Sequence, residues 1–373
     1  MISPPPHSPR SPDRFPQGEA RFPQAASGGR FPAEWSAHRA TWLAWPHHEP
    51  DWPGKFDAIP WVYAEIVRVL HGHETVEILC ANDDVRDHAR RALGAHGVDA
   101  GRVRLHTVPT DRVWTRDSGP TAVRRQDGRI EWIGWAFNAW AKYDNYASDA
   151  RVADRIAGLS GLPIEHAVRP DDGRPLVLEG GGIETNGAGV LLVTEEWLLS
   201  TQQVRNPGLD RAGYERAFAR YLGITRTIWL GRSCAGDDTH GHIDDVARFT
   251  DDRTVVLAYE ADPADANHDA SADNLRRLEL AARDIPGGLR IVTLPFPRPV
   301  MMDGERLPAS YANFYIANGV VLVPTFNDRR DREALAALAG LFPGREVIGI
   351  HAVDLVWGLG TLHCLTQQEP AAG

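Results

Sequence analysis

Near the C-terminus, Cys364 follows Gly358-Leu359-Gly360-Thr361-Leu362-His363 and precedes Leu365-Thr366-Gln367-Gln368. The apolar Val353, Leu355, Val356 and Trp357 lead in like a buried strand, and the glycines then free the backbone. A thiol just past such a loop can sit exposed at the rim of a core, where a nucleophile has to be presented. The alternative use of such a cysteine is as a small buried hydrophobe. Three other segments are more polar and glycine-rich than a core strand tolerates. In Trp114-Thr115-Arg116-Asp117-Ser118-Gly119-Pro120, Asp117 stands at a strand end and either points into a crevice or caps a turn. In Leu178-Glu179-Gly180-Gly181-Gly182 a carboxylate precedes three glycines, which permit close backbone approach to a ligand or strand, or a flexible hairpin. The densest polar cluster is Gly236-Asp237-Asp238-Thr239-His240-Gly241-His242-Ile243-Asp244-Asp245. If it is extended from Gly241 onward, His242 and Asp244 point to one face. Metal ligation and acid/base work by His242 compete for this cluster, beside a merely solvated loop.

The four segments together offer a thiol, a histidine and several carboxylates, with Arg116 the one cation in an obvious partner role. That inventory suits a planar cationic electrophile. A guanidinium needs paired carboxylates to hold it, a nucleophile for its central carbon and a proton donor for departing ammonia.

These groups must be positioned by a chain of ordinary globular composition, 373 residues long with 43% hydrophobic and 24% charged residues. The net charge of -10 argues against a nucleic-acid footprint and is compatible with a cationic small substrate. Cys80, Cys234 and Cys364 cannot all pair and contain no CxxC, which fits a reducing compartment and a cytoplasmic location. No apolar run reaches membrane-span length, and the N-terminus lacks the apolar core of a signal peptide. Residues 1–30 are rich in Pro, Ser, Gly and Arg and are expected to be a disordered extension; 31–370 read as a single domain.

Strands are expected at Thr41–Trp45, Val76–Cys80, Val103–Val108, Ile130–Trp135, Leu176–Leu178 and Val190–Val193. More are expected at Thr227–Leu230, Val246–Phe249, Val255–Tyr259, Ile291–Leu294, Val320–Val323 and Val347–Ile350. Helical periodicity marks Ala64–His71, Asp84–Leu93, Ala147–Leu159, Asp210–Leu222, Ala272–Arg283 and Arg329–Leu341. Strands outnumber helices about two to one, which suggests a repeated unit of several strands and one helix.

Phe31-Pro32-Ala33-Glu34-Trp35, Trp42-Leu43-Ala44-Trp45-Pro46, the Trp114–Pro120 segment and Phe137-Asn138-Ala139-Trp140 resemble motifs of the agmatine deiminase family. So do Leu178-Glu179-Gly180-Gly181, Arg205-Asn206-Pro207-Gly208, Gly241-His242-Ile243-Asp244 and His363-Cys364-Leu365-Thr366-Gln367-Gln368. The family includes bacterial peptidylarginine deiminases, and the resemblance runs in order from residue 31 to about 368. It implies an α/β pentein fold, a propeller of five ββαβ pseudo-repeats around a central site.

The resemblance also implies roles. Cys364 matches the nucleophile that forms an amidino intermediate, and His242 the general acid/base. Asp117 and Asp244 match the carboxylates that grip the guanidinium, and Asp238 a further substrate-binding acid. Glu179 matches a residue of the active-site wall, and Trp114 is counted with the substrate-binding residues. The implied reaction converts agmatine to N-carbamoylputrescine and ammonia without metal or organic cofactor. Arginine or peptidyl-arginine are alternative substrates, and a metal-dependent ureohydrolase releasing urea is an alternative chemistry. The implied partner is a small cationic guanidine, with no nucleic acid and no membrane; a homodimer is the self-association to look for. Thr115 stands where the family usually has Met, Gly182 where it has Ala or Ser, and Leu359 and Thr361 depart from its Gly-Gly-Gly-Asn-Ile-His-Cys run. Agmatine's far-end ammonium would need a second anionic region, for which Asp238 and Glu179 are the acids in matching motifs.

Overall fold

The computed structural model describes residues 29–373. Of the expected extension, residues 1–28 lie outside the described residues, whereas Gly29–Arg30 forms a short strand antiparallel to Arg124 and Arg125.

All six helical patterns form helices: Ile59–Leu70, Asp83–Ala95, Val152–Ser160, Arg211–Leu222, His268–Arg283 and Asp331–Leu341. Their ends follow local chemistry. The Asp210 side chain accepts a hydrogen bond from Gly213 N, and Gly223 stops that helix in the left-handed conformation at φ 68°. Asn82 caps Asp83–Ala95 in the same way through Val85 N.

Every expected strand is found except Leu176–Leu178, which makes only an isolated bridge between Ala136 and Val177. There the Asn206 side-chain amide takes the backbone bonds: Val177 N donates to Oδ1 at 3.0 Å, and Nδ2 donates to Val177 O at 2.7 Å. An amide side chain thus replaces a neighbouring strand.

The strands fall into five mixed sheets and one small hairpin, Met301–Met302 with Glu305–Arg306. Four sheets repeat one scheme, in which an antiparallel pair is followed by a helix and a parallel third strand. The first comprises Thr121–Arg125, Ile130–Gly134 and Ile164–His166, with helix Val152–Ser160 as the crossover. The second comprises Glu184–Thr185, Val190–Thr194 and Arg226–Leu230. The third comprises Ala247–Phe249, Thr254–Tyr259 and Arg290–Pro295. The fourth comprises Tyr315–Ala317, Val320–Thr325 and Glu346–His351. A parallel pair needs such a crossover because its second strand must restart at the same end.

The fifth sheet takes its first strand from the other end of the chain. Gln367–Pro370 pairs antiparallel with His38–Ala44, which runs parallel to Thr75–Cys80 and, through it, to Val103–Thr107. The ββαβ repeat inferred from element order is therefore present five times, and the last unit is closed by the C-terminus. Among the described residues, no helix is long and apolar enough to cross a membrane.

The closure is held by Glu369, whose buried carboxylate accepts Trp42 Nε1 at 2.9 Å and pairs with Arg39. Glu369→Ala leaves Trp42 Nε1 without its acceptor and Arg39 with Glu77 alone, and we expect a loss of about 2 kcal/mol of stability. Urea unfolding measures it; a change below about 0.5 kcal/mol would show that this contact does not hold the closure.

Candidate active site

Each sheet's first strand is preceded by a tight turn, and these turns meet. They are Thr115–Ser118, Gly180–Gly182, Ile243–Asp245, Ser310 to Asn313, and Leu362–Leu365. Gly181 N donates to Asp117 Oδ1 at 3.1 Å, joining the first two turns. Asn313 Nδ2 lies 3.0 Å from Asp245 Oδ1 and 3.2 Å from Cys364 Sγ, joining the last three. Arg116 Nε donates to His363 O at 3.3 Å and joins the last turn to the first.

Gly181 shows why the glycine run is there. A Cβ on it would lie 2.6 Å from His242 Nδ1, 2.9 Å from Asp117 Oδ1 and 3.1 Å from Asp244 Oδ2. The backbone passes where no side chain fits, so the run serves close approach and is not a flexible hairpin. The expected extension from Gly241 onward is corrected. Gly241 turns at φ 118° and Ile243–Asp245 is a single tight turn, so His242 and Asp244 converge through a turn and not along a strand face.

Two expectations around Cys364 also change. Residues Leu355–Gly358 form a helical turn in place of a strand, and the left-handed residue of the loop is Leu359, at φ 69°. The two glycines are needed for packing: a Cβ on Gly358 would lie 2.6 Å from the Trp52 ring, and one on Gly360 2.7 Å from Trp114. These tryptophans press on the loop, so Cys364 is buried and not exposed at a rim. It lines a cavity of about 340 Å³ together with Asp117, Trp114 and Asp238.

The acids around the thiol differ in their partners. Asp117 Oδ1 accepts Gly181 N, and its Oδ2 accepts Trp140 Nε1 at 2.9 Å. Asp244 Oδ2 lies 2.7 Å from His363 Nδ1 and 3.5 Å from Cys364 Sγ, while its buried Oδ1 has no partner. His363 Nε2 lies 2.8 Å from Glu34, which also pairs with Arg116 and Arg248. His242 Nε2 lies 3.4 Å from Glu179 Oε2, its Nδ1 lies 3.8 Å from Asp117, and Trp197 meets the ring edge-on.

Glu179 is fully buried behind His242, and its oxygens are taken by Arg205 at 3.0 Å and Trp197 Nε1 at 2.6 Å; like His242 and Asp244, it does not line the cavity itself. Asp238 does line the cavity, but Tyr143 Oη donates to it at 2.8 Å and Lys142 pairs with it. Sequence reasoning passed over Asn313, Glu34 as an acid, Arg248 and the cavity acid Asp51. Only Glu34 stands in a motif that carried the resemblance, so it alone had a signal to follow.

Burial pushes Asp117 up to about 6; the His242 charge opposes this, and the nearby Asp244 adds to it. Burial works against charge on His242, but Asp117 and Glu179 outweigh it and raise the imidazole to about 9. Burial pushes the Cys364 thiol well above its usual range, and Asp244, Asp245 and Asp117 push the same way. Glu179 is held at about 2, because Arg205 and His242 outweigh its burial. The arrangement at neutral pH is a thiol beside ionised acids and a charged imidazole. A planar cation entering between Asp117 and Asp244 would offset their charge and favour the thiolate.

The polar cluster does not form a ligand set. Asp237 binds its own turn through Thr239 and Gly241 N, His240 Nε2 pairs with Ser200, and Asp245 binds Asn313. Among the described residues, no three such groups are placed to hold a metal ion.

Residues 30–370 match the model of the family described as Porphyromonas-type peptidyl-arginine deiminase. The agmatine deiminase of Pseudomonas aeruginosa strain LESB58 is 34% identical over 93% of this chain and 96% of that protein. The structure of an agmatine deiminase of Enterococcus faecalis, 28% identical, superposes with a TM-score of 0.82 over 93% of this chain and 97% of its own. A Cys-to-Ser C. jejuni agmatine deiminase with substrate bound, 25% identical, also gives 0.82, over 97% of this chain and 99% of its own.

Gly181→Ala tests the convergence directly. The added methyl displaces His242, Asp117 or Asp244, and we expect kcat/KM towards a guanidine to fall by about 100-fold or more while the far-UV spectrum is retained. Unchanged kinetics would mean that these three groups do not act together.

Proposed function

We propose, for a chain that belongs to the Porphyromonas-type peptidyl-arginine deiminase family, the hydrolysis of agmatine to N-carbamoylputrescine and ammonia. The observation that carries this reading is the convergence of Cys364, His242, Asp117 and Asp244 around Gly181, beside a cavity. The names of the relatives point to agmatine, whereas the family description names peptidyl-arginine. Residues 31–370 act in this reading as one catalytic domain. All three cysteines are unpaired, as in a reducing compartment. The reading places the reaction in the cytoplasm, on a route towards putrescine.

Asp117 and Asp244 hold the guanidinium, with the unpartnered Asp244 Oδ1 accepting one of its N–H groups. The bound cation offsets the acids that oppose the thiolate, and the thiol proton leaves to solvent. Cys364 attacks the guanidinium carbon, and protonated His242 gives its proton to the departing ammonia. The adduct is an amidino-cysteine. Now neutral, His242 takes a proton from the water that attacks this carbon; the carbon–sulfur bond breaks and the ureido product leaves. Trp114 lines the same cavity as the thiol. Asp238 lines it too, and Glu179 fixes His242 from behind.

The test is to incubate the protein with agmatine, arginine and an arginyl peptide, assaying ammonia, urea and the ureido products. We expect ammonia and N-carbamoylputrescine from agmatine, no turnover by Cys364→Ser, and an amidino adduct on Cys364 by mass spectrometry. Urea as the product, or an active Cys364→Ser, would sink the reading. The pH profile of kcat/KM is a separate check. Asp117 must be ionised to pair with the cation, so the profile should fall as pH drops through about 6. Loss of the thiol proton to solvent makes kcat/KM rise with pH, and His242 must carry the proton it donates, so the rise should level off as pH passes about 9. A rate that still climbs above pH 10 would remove His242 from the acid role.

A further inference from the structure

The cavity beside Cys364 is lined by three acids, Asp51, Asp117 and Asp238. Asp117 is committed to the reacting end, since its two oxygens accept Gly181 N and Trp140 Nε1. Asp238 is compensated by Lys142 and by the Tyr143 hydroxyl. Asp51 is different. Its Oδ1 lies 3.4 Å from Arg112 Nε and 3.8 Å from His48 Nε2, and its buried Oδ2 has no hydrogen-bond partner. A carboxylate oxygen that has lost water and gained no donor is under-satisfied, and a cationic donor is what satisfies it.

Arg112 does not use up this capacity. Its terminal nitrogens donate to Asn145 O and Oδ1, each at 2.9 Å, and its guanidinium lies 4.5 Å over the Tyr143 ring. It is anchored to the wall and fixes one oxygen of Asp51. The cavity lining also includes the apolar Trp114, Trp140, Trp357 and Pro50, which suit a chain of methylenes.

We propose that Asp51 determines specificity in this cavity, by receiving the ammonium at the far end of a substrate whose guanidinium is held by Asp117 and Asp244. This rests on the deiminase reading above and names the residue that selects a tail cation. Asp238, the acid the sequence motif pointed to, is already paired and plays the lesser part.

The test compares agmatine with 1-butylguanidine, which has the same guanidinium and carbon chain and lacks the ammonium. Asp51→Asn should lower kcat/KM for agmatine by about a hundredfold and for butylguanidine by less than about threefold, with the loss mainly in KM. Asp51→Glu should recover part of the agmatine preference, and Asp238→Asn should shift the two substrates in parallel. Equal losses on both substrates in Asp51→Asn, or a selective agmatine loss in Asp238→Asn, would overturn the assignment. Wild-type protein that releases ammonia from butylguanidine as fast as from agmatine would also overturn it, and deimination would still stand. If no guanidine yields ammonia, the deiminase reading fails. Asp51 is then judged by calorimetry: agmatine must bind the wild type more tightly than butylguanidine does, and Asp51→Asn must abolish the difference.

Discussion

The centre of this protein depends on holding several carboxylates out of contact with water. Asp117, Asp244, Asp245, Glu34, Glu179 and Glu184 are all buried within the ring of turns or directly behind it. Unpaired charges there would cost more than a fold of this size can bear. The compensation is internal. Arg248 is fully buried and reaches Glu184 at 2.8 Å and Glu34 at 2.9 Å, and Arg205 sits on Glu179. His363 bridges Asp244 and Glu34. These cations come from strands and loops far apart in the chain, so satisfying the acids also locks the sheets together.

The compensation is incomplete where a ligand would enter. Asp244 Oδ1 and His242 Nδ1 are buried without partners, and Asp117 is raised to about 6. Behind that layer Glu34, Glu179 and Glu184 each have an arginine, and Glu179 is held at about 2. The contrast between a satisfied rear layer and an under-satisfied front layer is what makes the centre receptive to a planar cation.

Backbone strain accompanies this arrangement. Ala139, Trp140 and Ala141 all lie in the left-handed region, at φ 50°, 59° and 54°. Each costs a residue bearing a Cβ about 1 kcal/mol. The turn sets the Trp140 indole on Asp117, and Lys142 and Tyr143, which follow it, hold Asp238. Leu359 adds a second strained position beside the thiol. Of these four residues, Trp140 and Leu359 line the cavity, where the surrounding packing over-determines their conformation.

The sequence by itself determined the helices, nearly all strands and the identities of the reactive groups, because these follow from local rules. Periodicity set Arg211–Leu222, Asp210 and Gly223 bounded it, and Cys364, His242, Asp117 and Asp244 stood in polar glycine segments inside an apolar chain. Tertiary structure alone decided how they meet. The chain's first long strand pairs with its last, and this brings Cys364 next to residues more than a hundred positions away. It also separated roles that look alike in sequence. Glu179, Asp238 and Asp51 are all acids near polar motifs, yet one backs the imidazole, one is paired at the wall and one is left under-satisfied. That difference lies in which donors surround each carboxylate, and those donors come from remote segments that no local pattern connects.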